Sequence, residues 1–108
     1  MLDLVLQAIA QPHRREILLL LRSTERSSGD IATHFALTRP AISQHLQVLA
    51  AAGLVTVRSK GTQRIYRAHP DGFAELTSFL EGFWEERLQL LKQEAEAEER
   101  RTRTNDLT

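Results

Sequence analysis

Apolar residues recur at helical spacing over 38–53 and predict one amphipathic helix. The predicted buried face consists of Ile42, Leu46 and Leu49. Thr38 suits the N-cap, where its hydroxyl can accept a hydrogen bond from a free N–H of the first turn. Gly53 suits the left-handed conformation that often follows the last turn of a helix. The pattern therefore predicts a helix that begins and ends at these two residues.

The opposite face of this helix is polar and suits base recognition in the major groove of DNA. Its residues are Arg39, Pro40, Ser43, Gln44 and Gln47, and His45 lies at the edge of the apolar stripe. Arginine can bond guanine, glutamine can bond adenine, and serine can bond bases or phosphates. The alternative for such a face is plain contact with solvent. The residues upstream favour DNA, so we name 38–53 the reading helix.

A second short helix is predicted just before the reading helix. Ser27 and Asp30 have capping-box spacing at its start, with Asp in place of the usual Glu. Its apolar side consists of Ile31, Ala32 and Phe35. A short turn over 36–38 follows, and two short helices joined in this way indicate a helix-turn-helix.

Two β-branched, alternating runs follow, at 54–58 and 64–68, around a polar turn that contains Gly61. This pattern predicts a β-hairpin. A helix-turn-helix followed by a basic hairpin is the winged-helix arrangement. The predicted contacts of the wing, 58–64, with DNA are Arg58, Lys60, Gly61 and Arg64. Such cations bind phosphates without reading sequence.

Two short helices, over 3–10 and 13–22, precede these elements and form the predicted scaffold. Leu18 through Leu21 is apolar on every side, which indicates a central core helix. We expect His13 and Arg14, at its start, to be solvated, and Ser23–Arg26 to be a linker.

A long helix is predicted from about 72 to 98 and would be roughly 40 Å long. Its apolar stripe is too long for so small a domain to cover, so it indicates a homodimer interface. The predicted interface residues are Leu4, Leu76, Phe79, Leu80, Phe83, Trp84, Arg87, Leu88 and Leu91. The alternative is that the stripe packs back on its own domain. We expect one DNA-binding and dimerisation domain over 1–98 and a disordered polar tail over 99–108.

Charge is distributed unevenly along the 108 residues. Residues 1–68 hold nine Lys and Arg against four Asp and Glu, whereas 69–108 hold five against ten, which totals 14 of each sign. A basic front and an acidic back suit a small DNA-binding protein. The sequence has no cysteine, no apolar run of membrane-spanning length and no signal-peptide pattern, so we expect a cytoplasmic protein.

No enzyme site or cofactor site is predicted. Ser43, Gln44 and His45 lie too close together on one helix to form a catalytic triad, and no phosphate-binding loop or carboxylate pair is visible. We therefore expect neither catalysis nor a cofactor.

The sequence resembles the ArsR-type (ArsR/SmtB) winged-helix transcriptional regulators over about residues 4–90. The residues that carry the resemblance lie in 12–18, 30–32, 39–49 and 52–55, together with Gly61, Arg64, Tyr66 and Arg67 of the hairpin. The resemblance implies a mainly α fold with a small β-hairpin and a long C-terminal dimerisation helix. It also implies a homodimeric repressor that binds an inverted-repeat operator. The alternative is a winged helix for nonspecific architectural DNA binding or for protein contact.

The chain departs from the metal-sensing members of that family. At the start of the third helix, where founding members carry a Cys-x-Cys pair, it has Ser and Gly. His69 and Asp71 are only half of another known ligand set, and several converging ligands are needed to hold a transition metal. The residues 83–88 resemble those of a metal-independent subgroup that has no common effector. We therefore expect no metal site, and the sequence indicates no effector.

Overall fold

The computed structural model describes residues 1–106, with side chains described through Arg103. The architecture is mainly helical with one small antiparallel sheet, which confirms the predicted fold class. No helix within this range is both long enough and apolar enough to cross a membrane. The chain forms two compact units, one of Met1–Leu76 and one that begins at Thr77. One domain over 1–98 stays a prediction.

The helices and strands follow the predicted order. The helices are α1 (Leu2–Ile9), α2 (Pro12–Leu21), α3 (Ser28–Thr33), α4 (Arg39–Ala51) and α5 (Ala74–Asp106). The strands are β1 (Arg26–Ser27), β2 (Val55–Lys60) and β3 (Gln63–Ala68), and a 3-10 turn spans Pro70–Phe73. The sheet is antiparallel in the order β1-β3-β2. The reading helix is α4 with its two caps.

Both helices of the helix-turn-helix begin at the predicted caps. The Thr38 hydroxyl accepts a hydrogen bond from Ala41 N at 3.2 Å. The Ser27 hydroxyl accepts one from Asp30 N at 3.0 Å. The Asp30 carboxylate does not complete a capping box, because it pairs with Arg26 at 2.8 Å. These caps satisfy N–H groups that would otherwise lack a partner and fix where each helix begins.

The first strand was not predicted. The sequence predicts a linker over Ser23–Arg26, whereas the structure pairs Arg26 with Tyr66 and Ser27 with Ile65. A two-residue strand is too short to show alternation, and it exists because β3 offers a free edge for hydrogen bonding. The strand fixes the start of α3 against the wing.

The core lies between the first four helices and the sheet. Its fully buried side chains include Val5, Ile17, Leu21, Ile31, Ile42, Leu46, Leu49 and Leu54. Ile42, Leu46 and Leu49 are among them, which confirms the predicted buried face of the reading helix. The expected core helix α2 buries Ile17 and Leu21 and half-buries Leu18 and Leu20, but it is not covered on every side, since Leu19 is 59% exposed. Neighbouring elements α1, α4 and β3 cover only part of this helix.

A tight corner joins the reading helix to the wing. Gly53 has a φ of +76°, and two backbone bonds of 3.0 Å close the helix end, Gly53 N to Ala50 O and Leu54 N to Leu49 O. This pair of bonds is the Schellman motif. Gly72 packs against the corner so closely that a Cβ there would lie 2.0 Å from the Gly53 carbonyl oxygen.

The last helix is longer than predicted. The sequence predicts a disordered tail over 99–108, but α5 continues through Asp106, and 107–108 lie outside the described residues. Two ion pairs at helical spacing, Glu98–Arg101 and Glu99–Arg103, support the added turns. The Thr102 hydroxyl also donates to the Glu98 carbonyl at 3.0 Å. The pattern of opposite charges, rather than apolar periodicity, explains this helical end.

Candidate nucleic-acid interface

The polar face of the reading helix is exposed along its whole length. Its exposed side chains are Arg39, Pro40, Ser43, Gln44 and Gln47, all of which are predicted DNA contacts. Val48 and Ala51 continue the same surface toward the end of the helix. The buried stripe on the other side anchors the helix in the core. These exposed side chains therefore project from a backbone that is held in place.

Arg39 lies at the corner between α3 and the reading helix. A Cβ built on Gly29 would lie 3.3 Å from Arg39 Nη1, so the guanidinium rests against the backbone of α3. A glycine at this position leaves room for it. The side chain is exposed and occupies the N-terminal end of the reading helix, where side chains reach base edges in helix-turn-helix proteins.

His45 is half-buried, unlike the other predicted contacts on this helix. Its Nδ1 lies 3.3 Å from Arg14 Nη1, and its ring centre lies 5.9 Å from that of His13. Burial, together with the positive charge of Arg14 and the neighbouring His13, lowers the pKa of His45. The ring is therefore neutral near pH 7.

The expectation that His13 and Arg14 are solvated is wrong. Arg14 Nε donates to the Ala8 carbonyl at 2.7 Å, and its Nη2 donates to the Gln7 carbonyl at 3.1 Å. His13 is half-buried and packs edge-to-face on Phe35, with ring centres 6.3 Å apart. Arg14 is drawn inward because α1 ends beside it, whereas His13 packs on Phe35 and its Nδ1 lies 3.0 Å from the Gln11 side-chain nitrogen.

The end of α1 explains why Arg14 and Arg15 bond backbone carbonyls. Carbonyls in the last turn of a helix lack partners within the helix. The last turn of α1 holds no basic residue, and α2 supplies the donors instead, with Arg15 Nη1 bonding the Ile9 carbonyl at 2.7 Å. A sequence signal existed: a helix end without glycine, followed closely by two adjacent arginines.

The wing has a two-residue tip and two distinct faces. Gly61 has a φ of +61° at the first of two central positions, as a type II′ turn requires. Side chains alternate across a strand, so the register groups Lys60 and Arg58 on one face and Arg64 with Tyr66 on the other. Tyr66 is buried against the core. The predicted wing cations are all exposed, but they are divided between the two faces.

Arg58 has a partner within the chain. Its Nη2 lies 2.6 Å from the Glu25 carboxylate, just before β1. The hydrogen bond from Arg58 holds the pKa of Glu25 below its usual range, and the charges of Arg67 and Lys60 add to the effect. Glu25 was missed because it falls in the predicted linker. Its carboxylate places one negative charge close to Arg58 and Lys60, on the face of the wing opposite Tyr66.

The apolar stripe of α5 is exposed in the single chain. Phe83 is 65%, Trp84 57% and Leu88 62% exposed, and Leu4 of α1 is also exposed. The other exposed residues of the predicted interface are Phe79, Leu80, Arg87 and Leu91. Leu76 differs from them, because it is half-buried and packs against the core of the first unit.

The described residues contain no cluster of three or more His, Asp or Glu side chains able to hold a metal ion. His69 and Asp71, the partial ligand set, are both exposed beside the 3-10 turn.

The chain is similar in sequence to known bacterial regulatory proteins. Residues 11–57 match the family described as bacterial regulatory protein, arsR family. The chain is 42% identical to the HTH-type transcriptional regulator Rv2034 of Mycobacterium tuberculosis, over 76% of this chain and 77% of that protein. It is 45% identical to the transcriptional repressor SdpR of Bacillus subtilis, over 57% of this chain and 68% of that protein.

Solved structures show the same fold. A possible transcriptional regulator for arsenical resistance matches with a TM-score of 0.67 and 47% identity, over 73% of this chain and 82% of that one. A possible ArsR-family regulator from Mycobacterium bovis matches with a TM-score of 0.60 and 34% identity, over 82% and 84%. The latter is described as a homodimeric winged helix-turn-helix DNA-binding domain.

Proposed function

The chain belongs to the ArsR family of bacterial regulatory proteins, and from this premise we propose that it represses transcription as a homodimer bound to an inverted-repeat operator. The reading helix enters the major groove, and the wing contacts the backbone or the minor groove. The observation that carries the proposal is the exposed polar face of a helix that is capped at Thr38, closed at Gly53 and anchored by a buried stripe. A fixed helix can place hydrogen-bonding groups at defined base edges.

The side chains divide into two kinds of contact. Arg39 is the proposed guanine contact, and Gln44 and Gln47 are the proposed adenine contacts, since arginine and glutamine make two hydrogen bonds to these bases. Ser43 serves a base or a phosphate. Lys60 and the other wing cations, Arg58 and Arg64 on either side of Gly61, bind phosphates, and this binding adds affinity without selecting sequence.

Selection of bound DNA from a random pool, at two salt concentrations, tests the proposal. Specific binding predicts an inverted repeat that persists at the higher salt, with half-sites spaced by about 34 Å or a multiple of it. Enrichment without a consensus, lost steeply as salt rises, would instead favour architectural binding through phosphates.

The proposed dimer forms through the exposed stripe of α5. On a helical wheel Gln89 lies nearly opposite the centre of the stripe that contains Phe83. Phe83→Glu places a charge in the proposed interface, whereas Gln89→Glu places the same charge outside it. Sedimentation should show a monomer for Phe83→Glu and a dimer for Gln89→Glu. A dimer in both variants would contradict this interface.

A further inference from the structure

One side-chain cluster links three helices directly behind the exposed face of the reading helix. Arg14 of α2 bonds the carbonyls of Ala8 and Gln7 at the end of α1, at 2.7 and 3.1 Å. Its remaining nitrogen, Nη1, lies 3.3 Å from His45 Nδ1 on the reading helix. The Gln11 side chain accepts a bond from Arg14 N at 3.0 Å and so fixes the start of α2. One guanidinium therefore connects the end of α1 to a predicted DNA contact.

The chemistry of the guanidinium determines the state of the histidine ring. An arginine side chain has donors and no acceptor, and it stays charged in proteins. His45 Nδ1 must therefore accept in this contact, and the proton of the neutral ring must lie on Nε2. Arg14 and His13, both from α2, are the charged or titratable groups that act on the ring, and with burial they lower the pKa of His45.

The other side of the ring is available for a ligand. Within the described residues, His45 Nε2 makes no hydrogen bond. The ring borders an open hollow that is also lined by Arg14 and by Gln44 and Gln47, two of the proposed base contacts. His45 lies between the outward face and the buried stripe, and phosphate contacts flank base contacts in such interfaces.

We propose that Arg14 is a positioning residue for DNA binding, which holds His45 as a neutral ring whose Nε2–H donates to a phosphate oxygen of the operator. The inference rests on the proposed function, because it assigns a role within the same interface. It also identifies the end of α1 as part of the support for the reading helix. Arg14 acts through His45 and need not touch DNA itself.

Nitrogen NMR of the free, full-length protein tests the positioning without DNA. The His45 ring should carry its proton on Nε2 at neutral pH. Arg14→Gln should yield a mixture of tautomers and raise the pKa of His45, because the shorter glutamine side chain does not reach Nδ1 and carries no charge. Arg15→Gln is the matched control, since the Arg15 guanidinium bonds the Ile9 carbonyl and, within the described residues, makes no contact with His45. A wild-type ring that is charged, or protonated on Nδ1, would overturn the proposal whatever the protein binds.

Binding to the selected operator tests the contact with DNA. We expect His45→Ala and Arg14→Gln each to weaken binding about tenfold, as the loss of one charge-assisted hydrogen bond predicts. The double variant should bind about as well as either single variant. Losses that multiply would show that the two residues act independently and would overturn the proposal.

A second series needs no change at Arg14 and so avoids any loss of folding there. The amide of glutamine can take the place of the histidine Nε2–H, whereas that of asparagine is too short to reach it. We therefore expect His45→Gln to retain most of the operator affinity and His45→Asn to lose about tenfold. Equal affinity for the two variants would contradict a donor at Nε2. A wild-type protein without operator preference would refute the proposed function instead, and the NMR result would still decide the positioning.

Discussion

The reading helix and the wing present their polar groups to solvent in different ways. The helix is capped at Thr38, closed by a Schellman motif at Gly53 and contacted from behind by Arg14. The wing displays Lys60 on an exposed strand, and Arg58 on the same face of that strand is held by an exposed ion pair with Glu25. Exposed ion pairs contribute little to stability. We therefore expect the helix, rather than the wing, to discriminate between bases.

This difference suggests that the helix and the wing contribute different parts of the free energy of DNA binding. Hydrogen bonds from a fixed helix depend on the base sequence, whereas contacts of wing cations with phosphates depend on salt. Variants of the helix should change the ratio of operator to random binding. Variants of the wing should change both affinities together.

Gly72→Ala should have the largest effect, because it disrupts the corner that joins the two regions. A Cβ at this position would lie 2.0 Å from the Gly53 carbonyl oxygen and 2.8 Å from its carbon, so the backbone must shift. Overpacking of this kind costs about 3 kcal/mol of unfolding free energy. Urea denaturation measures the loss.

Gly82→Ala is the matched control for this substitution, since nothing lies within 4 Å of a Cβ there. It should stabilise α5 by up to about 1 kcal/mol through helix propensity. An unchanged urea midpoint for Gly72→Ala would show that the corner is not tightly packed.

Arg39→Ala should have the next largest effect, and it should act on specificity. Loss of a two-bond contact with guanine costs about 2 kcal/mol, or roughly thirtyfold in operator affinity. Affinity for random DNA should fall much less. Titration of both DNAs at one salt concentration gives the ratio, and equal losses on both would assign Arg39 to phosphate instead.

Lys60→Ala should have a smaller effect that does not depend on sequence. Removal of one phosphate contact should weaken operator and random DNA alike and reduce the salt slope by about 1. Ser59→Ala, on the opposite face of the same strand, is the control and should leave the slope unchanged. A loss confined to the operator would show that the wing reads bases.

The elements with periodic apolar patterns could be predicted from the sequence. The helix-turn-helix, both caps and the hairpin follow from local spacing and local hydrogen bonds, as Thr38 and Ser27 show. The strand β1 could not be predicted, because two residues have no periodicity and their structure depends on a distant strand. The helical end of α5 was missed because charge pairs such as Glu99–Arg103 stabilise it without an apolar stripe.

The candidate site could be predicted only in part, because some of its side chains are positioned by partners that are distant in the sequence. The exposure of Ser43 and Gln44 follows from the helical wheel. The inward turn of Arg14 follows from the position of the end of α1, which no local pattern contains. The pair between Glu25 and Arg58 likewise joins residues 33 positions apart. Long-range partners determine which polar residues are available to DNA.

Glu25→Gln should have the smallest effect, and it should change DNA affinity in the opposite direction from Lys60→Ala. It removes the carboxylate that pairs with Arg58, so affinity for every DNA should rise slightly and the salt slope should steepen by less than 1. The lowered pKa of Glu25 has a matching consequence. The pair stabilises the fold above the usual pKa of glutamate, and this stabilisation is lost as the pH falls through the lowered value. Carbon NMR of Glu25 in Arg58→Gln should show its pKa returning toward the usual range. Unchanged titration would mean that the ion pair does not persist in solution, and Arg58 would then be as available to phosphate as Lys60.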